Sequence, residues 1–187
     1  MSAVRLVVVT DRTQVPPGRS LPEVLVAAAD AGLRAVLLRE VDLPGDERNE
    51  IADHARTAGL TVIAAHRPVT RCAGLHCPAT APRPAFGQRW GRSCHSRGDL
   101  VRAAAQGAAW ATLSPYTSTA SKPGYGPPAP TAAWRAPPLP VYALGGITVD
   151  NAAAVISAGA HGVAVMGAVM RAQDPADVVA RLLEVTR

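Results

Sequence analysis

The sequence is poor in several features that would mark a functional class. It has one lysine, Lys122, in 187 residues, and aromatic side chains make up only 4% of it. A nucleic-acid face wants clustered basic residues interleaved with stacking rings. Here the arginines are scattered, so no nucleic-acid partner is expected. The apolar run in MSAVRLVVVTDR is too short for a signal peptide and far too short for a membrane span. A cytoplasmic protein without membrane association is therefore expected. The three cysteines, Cys72, Cys77 and Cys94, are an odd count with no Cys-x-x-Cys pair, which excludes a disulfide framework. Charged residues are 18%, against ~25% in an ordinary domain. With so few rings, the core has to be packed from Val, Ala and Leu.

What is present is regular. The length fits one domain spanning residues 1–187. Eight short apolar runs read as strands: Arg5–Val9, Ala35–Arg39, Leu60–Ala64, Ala73–His76, one within Gln88–Cys94, Ala109–Leu113, Leu139–Leu144 and His161–Val165. Helical stretches lie between most of them, at Leu21–Ala31, Asp46–Ala58, Asp99–Gln106, Asp150–Ala158 and Ala176–Thr186. Gly32, Gly59, Gly107 and Gly159 stand where helices stop, and Asp174-Pro175 opens the last one. The connection after strand four, Thr80 to Gly87, is broken by prolines, so its helix is short or missing. Strand–helix alternation of this kind predicts a compact (β/α)8 TIM barrel, with a doubly wound open sheet as the alternative.

In a barrel, functional groups belong at the C-terminal ends of the strands. That rule selects Arg39, His66, His76, His95, the loop from Ser114, Gly145-Gly146 and Met166-Gly167. Glycines after strands seven and eight suit phosphate held by backbone N–H groups, or simply tight turns. The Ser114–Pro130 loop offers hydroxyls at Ser114, Thr117, Thr119 and Ser121, together with Lys122. It suits a phosphate or carboxylate ligand, or a solvated turn. The net charge of +5 also fits an anionic small molecule. His66, Cys72, His76 and Cys77 are zinc-type ligands, but their spacing matches no standard site, and neighbouring His76 and Cys77 point opposite ways on a strand. No metal site is expected. His95, at the end of strand five, can exchange protons near neutral pH or can cap the next helix.

Seven segments, in order, carry a resemblance: VVVTDR, LLRE, GLH, GRSCHS, TSTASKPGYG, YALGGIT and AGAHGVAVMGAV. They resemble the thiamine-phosphate synthase and thiazole tautomerase superfamily, from Val7 to about Pro175. The resemblance implies a TIM barrel acting on a thiazole phosphate. The synthase branch joins a hydroxymethylpyrimidine diphosphate to that phosphate and releases pyrophosphate with Mg²⁺. Its pattern has a lysine where this chain has Val41, Asn-Asp-Arg where it has Ala65-His66-Arg67, and an acidic residue where it has Cys77-Pro78-Ala79. The tautomerase branch carries Gly-Arg-Ser-x-His-Ser, present as Gly91–Ser96, and needs no metal. The resemblance is therefore closer to the tautomerase branch. It implies an isomerase without cofactor in which His95 moves a proton while a thiazole carboxylate phosphate aromatises. Arg39 and Lys122 would face the substrate's anionic groups. Gly145, Gly146, Met166 and Gly167 would hold its phosphate, and Ser114, Thr117, Thr119 and Ser121 would line the mouth. A synthase with a rebuilt pyrophosphate site, the one case that would need Mg²⁺, is the alternative. A non-catalytic thiazole or thiamine phosphate binder is a further one. Either form leaves room for a homo-oligomer.

Overall fold

The structure, a computed structural model, describes residues 4–85, 87–119, 124 and 126–187. Eight strands form a closed parallel barrel in chain order: β1 (Leu6–Val9), β2 (Ala35–Leu38), β3 (Thr61–Ala65), β4 (Gly74–Cys77), β5 (Trp90–Cys94), β6 (Trp110–Leu113), β7 (Val141–Leu144) and β8 (Gly162–Val165). Pairing of β1 with β8, with Val7 opposite Ala164, closes the ring. The expected (β/α)8 barrel is what the chain forms.

The strands read as nearly unbroken apolar runs because both of their faces are covered. Side chains alternate between those faces. Val7, Val9, Leu37, Ile63, Trp110, Tyr142 and Ala164 fill the barrel interior. Their neighbours Val8, Val36, Leu38, Val62, Leu113 and Val163 pack outward under the helices. Those helices are α1 (Leu21–Asp30), α2 (Gly45–Thr57), α3 (Arg97–Ala105), α4 (Val149–Ser157), α5 (Gly167–Met170) and α6 (Pro175–Val185). Local chemistry starts most of them. Ser20 and Glu23 form a reciprocal capping box on α1, Ser96 caps α3, and Asp174 caps α6 ahead of Pro175. No described helix is long and apolar enough to cross a membrane.

Between β4 and β5 the described residues contain no helix. One side chain fills part of that gap. Arg92 points outward from β5, is 6% exposed, and donates to the carbonyls of Pro78, Ala79 and Ala81 at 3.3, 3.1 and 2.6 Å. Its guanidinium carbon lies 4.9 Å from the Trp90 ring centroid, within cation–π range.

Candidate active site at the barrel mouth

The alternation that fills the interior continues past the strand ends and selects what faces the mouth. Two steps beyond Val9 comes Asp11, and two beyond Leu37 comes Arg39. On the same count Ser114 follows Thr112, and Met166 follows Ala164.

The β1–β3 side of the rim is charged. Arg39 donates to Asp11 at 2.7 Å. Arg12 forks onto Asp42 at 2.9 and 2.6 Å and also donates to the buried Glu40 at 3.0 Å. Burial works against ionisation of Asp11, but bonds from Thr13 and Gln14 and the charge of Arg39 hold its pKa below the ordinary value. Hydrogen bonds to Asp42 and Glu40 raise that of Arg12.

The turn after β3 is built around His66. Its φ of 62° lies in the left-handed region, which costs a non-glycine residue ~1–2 kcal/mol. Arg48, 1% exposed on α2, holds that turn in place. It donates to Ala65 O at 2.9 Å and to Arg67 O at 3.1 Å, on either side of the histidine. The His66 N–H reaches His76 O at 2.9 Å, and Arg67 donates to the carbonyls of Val41 and Leu43. Partial desolvation, then the charges of Arg39, Arg48 and Arg67, lower the His66 pKa.

His76 sits one layer below the mouth. The Trp110 indole N–H donates to its Nδ1 at 3.2 Å, so the ring proton resides on Nε2, near Ser93 Oγ (3.1 Å) and Thr112 Oγ1 (3.2 Å). Burial, with smaller contributions from His66 and Arg92, brings its pKa down to about 3. His76 is therefore a neutral interior group. β4 runs one residue further than the sequence suggests, to Cys77, and this leaves His76 inside.

On the opposite side, His95 is exposed and lines a cavity of about 240 Å³ with Ser114, Pro115 and the segment 126–130. Its Nδ1 lies 2.9 Å from Ser114 O. A carbonyl only accepts, so Nδ1 carries the proton in that bond. Gly145 and Gly146 are not in this cavity. They pack against the back of the 115–118 loop, whose Tyr116 and Thr117 N–H groups donate to Leu144 O and Gly145 O. Met166 is half-buried, and Gly167 opens α5 beneath the Arg171 guanidinium. Thr119 is half-buried on the loop, and Ser121 and Lys122 lie outside the described residues. The structure thus brings His95 and Ser114 together, and separately Gly145, Gly146 and Thr117. Asp11, Glu40 and Arg48 were not singled out from the sequence.

A family model described as thiamine monophosphate synthase matches residues 74–169. The thiamine-phosphate synthase of Roseiflexus castenholzii is 35% identical over 197 aligned positions, covering 95% of this chain and 86% of its own. That of Haloquadratum walsbyi is 36% identical, covering 88% of this chain and 83% of its own. The chain belongs to the thiamine monophosphate synthase family. In fold it is similar to thiamine phosphate pyrophosphorylase from Pyrococcus furiosus, with a TM-score of 0.81 and 23% identity over 98% of this chain and 95% of that one.

These relatives overturn the expectation of a thiazole tautomerase, and with it the isomerase class, because they carry the synthase name. The motif behind that expectation has structural reasons for each residue. A Cβ on Gly91 would lie 2.1 Å from the Trp110 indole nitrogen. Arg92 ties down the 78–81 carbonyls, and Ser93 meets His76. Cys94 faces the outer core, where burial pushes its thiol up to about 12 and removes it as a nucleophile. His95 bonds Ser114 O, and Ser96 caps α3 by accepting from the Asp99 N–H. Each residue of this motif thus has a packing, hydrogen-bonding or capping contact in the barrel.

The resemblance also raised Mg²⁺ for a synthase of this family. Mg²⁺ takes hard oxygen ligands, usually one or two carboxylates plus substrate phosphate. On this rim Asp11, Glu40 and Asp42 each already accept from an arginine. The positions that are acidic in the family pattern hold His66 and Cys77-Pro78-Ala79, and Cys77 turns into the outer core. Among the described residues no group of three or more His, Cys, Asp or Glu side chains is placed to hold a metal ion. The donor set of this rim does not fit Mg²⁺.

Proposed function

We propose that this protein is a thiamine-phosphate synthase, joining a hydroxymethylpyrimidine diphosphate to a thiazole phosphate. The observation that carries the reading is about 35% identity to curated synthases along 95% of the chain. In this reaction the methylene C–O bond breaks and its electron pair leaves with pyrophosphate. The thiazole nitrogen's lone pair forms the new C–N bond, leaving a thiazolium. No proton transfer to carbon is required, so His95 has no proton-carrier role here. It serves with Ser114 as a polar wall of the cavity.

The chemistry asks for two anion sites on one mouth. The arginine-rich rim over β2 and β3 suits the diphosphate, with Arg39 facing it. The turns at Gly145-Gly146 and Met166-Gly167 suit the thiazole's ester phosphate through backbone N–H groups. Small-molecule phosphates are the partners this reading requires, in a soluble cytoplasmic setting.

The test is to mix the purified chain with both precursors and follow thiamine phosphate and pyrophosphate. Equal molar release of the two is expected. Thermal stabilisation by either precursor without turnover would overturn the synthase reading in favour of a binding protein.

A further inference from the structure

We propose that the rim over β2 and β3 binds a diphosphate without a divalent ion, with Arg39, Arg67 and His66 supplying the positive charge. The identity of the ligand rests on the synthase reading; the character of the site rests on the rim itself. Arg12, Arg39, Arg48 and Arg67 stand there against Asp11, Glu40 and Asp42, four guanidiniums against three carboxylates. Every one of those carboxylates already accepts from an arginine, whose charge offsets its attraction for an incoming cation. An incoming polyanion meets planar N–H donors and a net positive field.

His66 completes this site. Its backbone is fixed from both sides by Arg48 and by the bond to His76 O, so the imidazole is presented on the exposed rim by a rigid turn. The charges acting on it are Arg39 from β2, Arg48 from α2 and Arg67 from its own loop, with neutral His76 beneath from β4. All three charges are positive, a setting that disfavours the imidazolium until an anion arrives. A diphosphate reverses the local field, and His66 then takes one proton from solvent. The arginines stay charged throughout the neutral range, so among these groups His66 is the one able to change its charge when an anion binds.

The experiment uses the full chain and inorganic pyrophosphate as the probe. Binding is measured by calorimetry from pH 6 to 8, in EDTA and in Mg²⁺, alongside a His66→Asn variant. Asn tolerates the left-handed backbone, so the turn is kept. The expected result is undiminished affinity in EDTA, proton uptake of up to one per site, and affinity that weakens with rising pH relative to the variant by up to roughly tenfold. Ionisation of the probe itself is common to both proteins and cancels in the comparison. Binding that requires Mg²⁺, or identical pH profiles for the two proteins, would overturn the proposal. The two readings separate cleanly. Thiamine phosphate formation that needs added Mg²⁺ keeps the synthase and removes the ion-free site, whereas EDTA-resistant pyrophosphate binding without product does the reverse.

Discussion

Gly146 shows how tightly single residues are specified at this mouth. Its φ is +69°, and a Cβ there would lie 2.3 Å from Thr117 Cγ2 and 2.5 Å from Ser118 O. Gly146→Ala therefore combines backbone strain of ~1–2 kcal/mol with an overpacking cost of ~1–3 kcal/mol. Gly18 supplies the control. Its φ is +86°, but nothing lies within 4 Å of the added Cβ. Gly146→Ala is expected to lower the melting temperature by roughly 4–20 °C and Gly18→Ala by roughly 2–8 °C, at ~2–4 °C per kcal/mol for a chain of this size. Equal shifts would show that the loop at 117–118 yields freely. The double glycine was legible as a turn because glycine signals positive φ directly. The Arg39–Asp11 pair was not, since its partners stand 28 residues apart and meet only when β1 and β2 pair.

Among the elements, the connection from β4 to β5 shows how a missing helix is replaced. α-Helices follow β1, β2, β5, β7 and β8, and their own backbone bonds satisfy their carbonyls. Here the carbonyls of Pro78, Ala79 and Ala81 converge on one guanidinium. Arg92→Met keeps much of the side chain's bulk and removes the donors. Leaving those carbonyls without Arg92 is expected to cost on the order of 3 kcal/mol, measured by urea denaturation. Proteolytic cleavage within 79–89 should rise with it, and a loss below about 1 kcal/mol would mean that water replaces the guanidinium. The prolines announced the missing helix, because proline interrupts backbone donation. Nothing local announced its substitute. Arg92 reads as an exposed polar position in an alternating strand, and Arg48 as part of the solvent face of α2. Their burial is set by neighbours distant in sequence. α5 escaped the pattern for another reason: four residues are too few to show a helical period.

At the scale of the whole molecule, the strand count, order and closure were legible because a parallel barrel is made of repeated local units, eight apolar runs with glycine stops after four of the helices between them. The interior polar network was not, because it joins β4, β5 and β6 through Trp110, His76, Ser93 and Thr112. That network makes stability of the entire barrel depend on pH. In the unfolded chain a histidine takes up a proton near pH 6.5. In the folded protein His76 resists protonation until about pH 3. Between those values the unfolded state binds more protons, so stability is fully present above pH 6.5 and declines as pH falls, by up to ~1.4 kcal/mol per unit. His76→Gln retains an acceptor for the indole N–H and a donor toward the hydroxyls, but does not titrate. Urea unfolding at pH 7, 6 and 5 should show the native protein losing about 2 kcal/mol more than the variant across that range. His66 and the other titrating groups contribute to both proteins, so the difference between the two slopes reports His76. Parallel slopes would mean that His76 is reached by water and charged in the folded barrel, and the ring of eight strands would then not be closed around a dry centre.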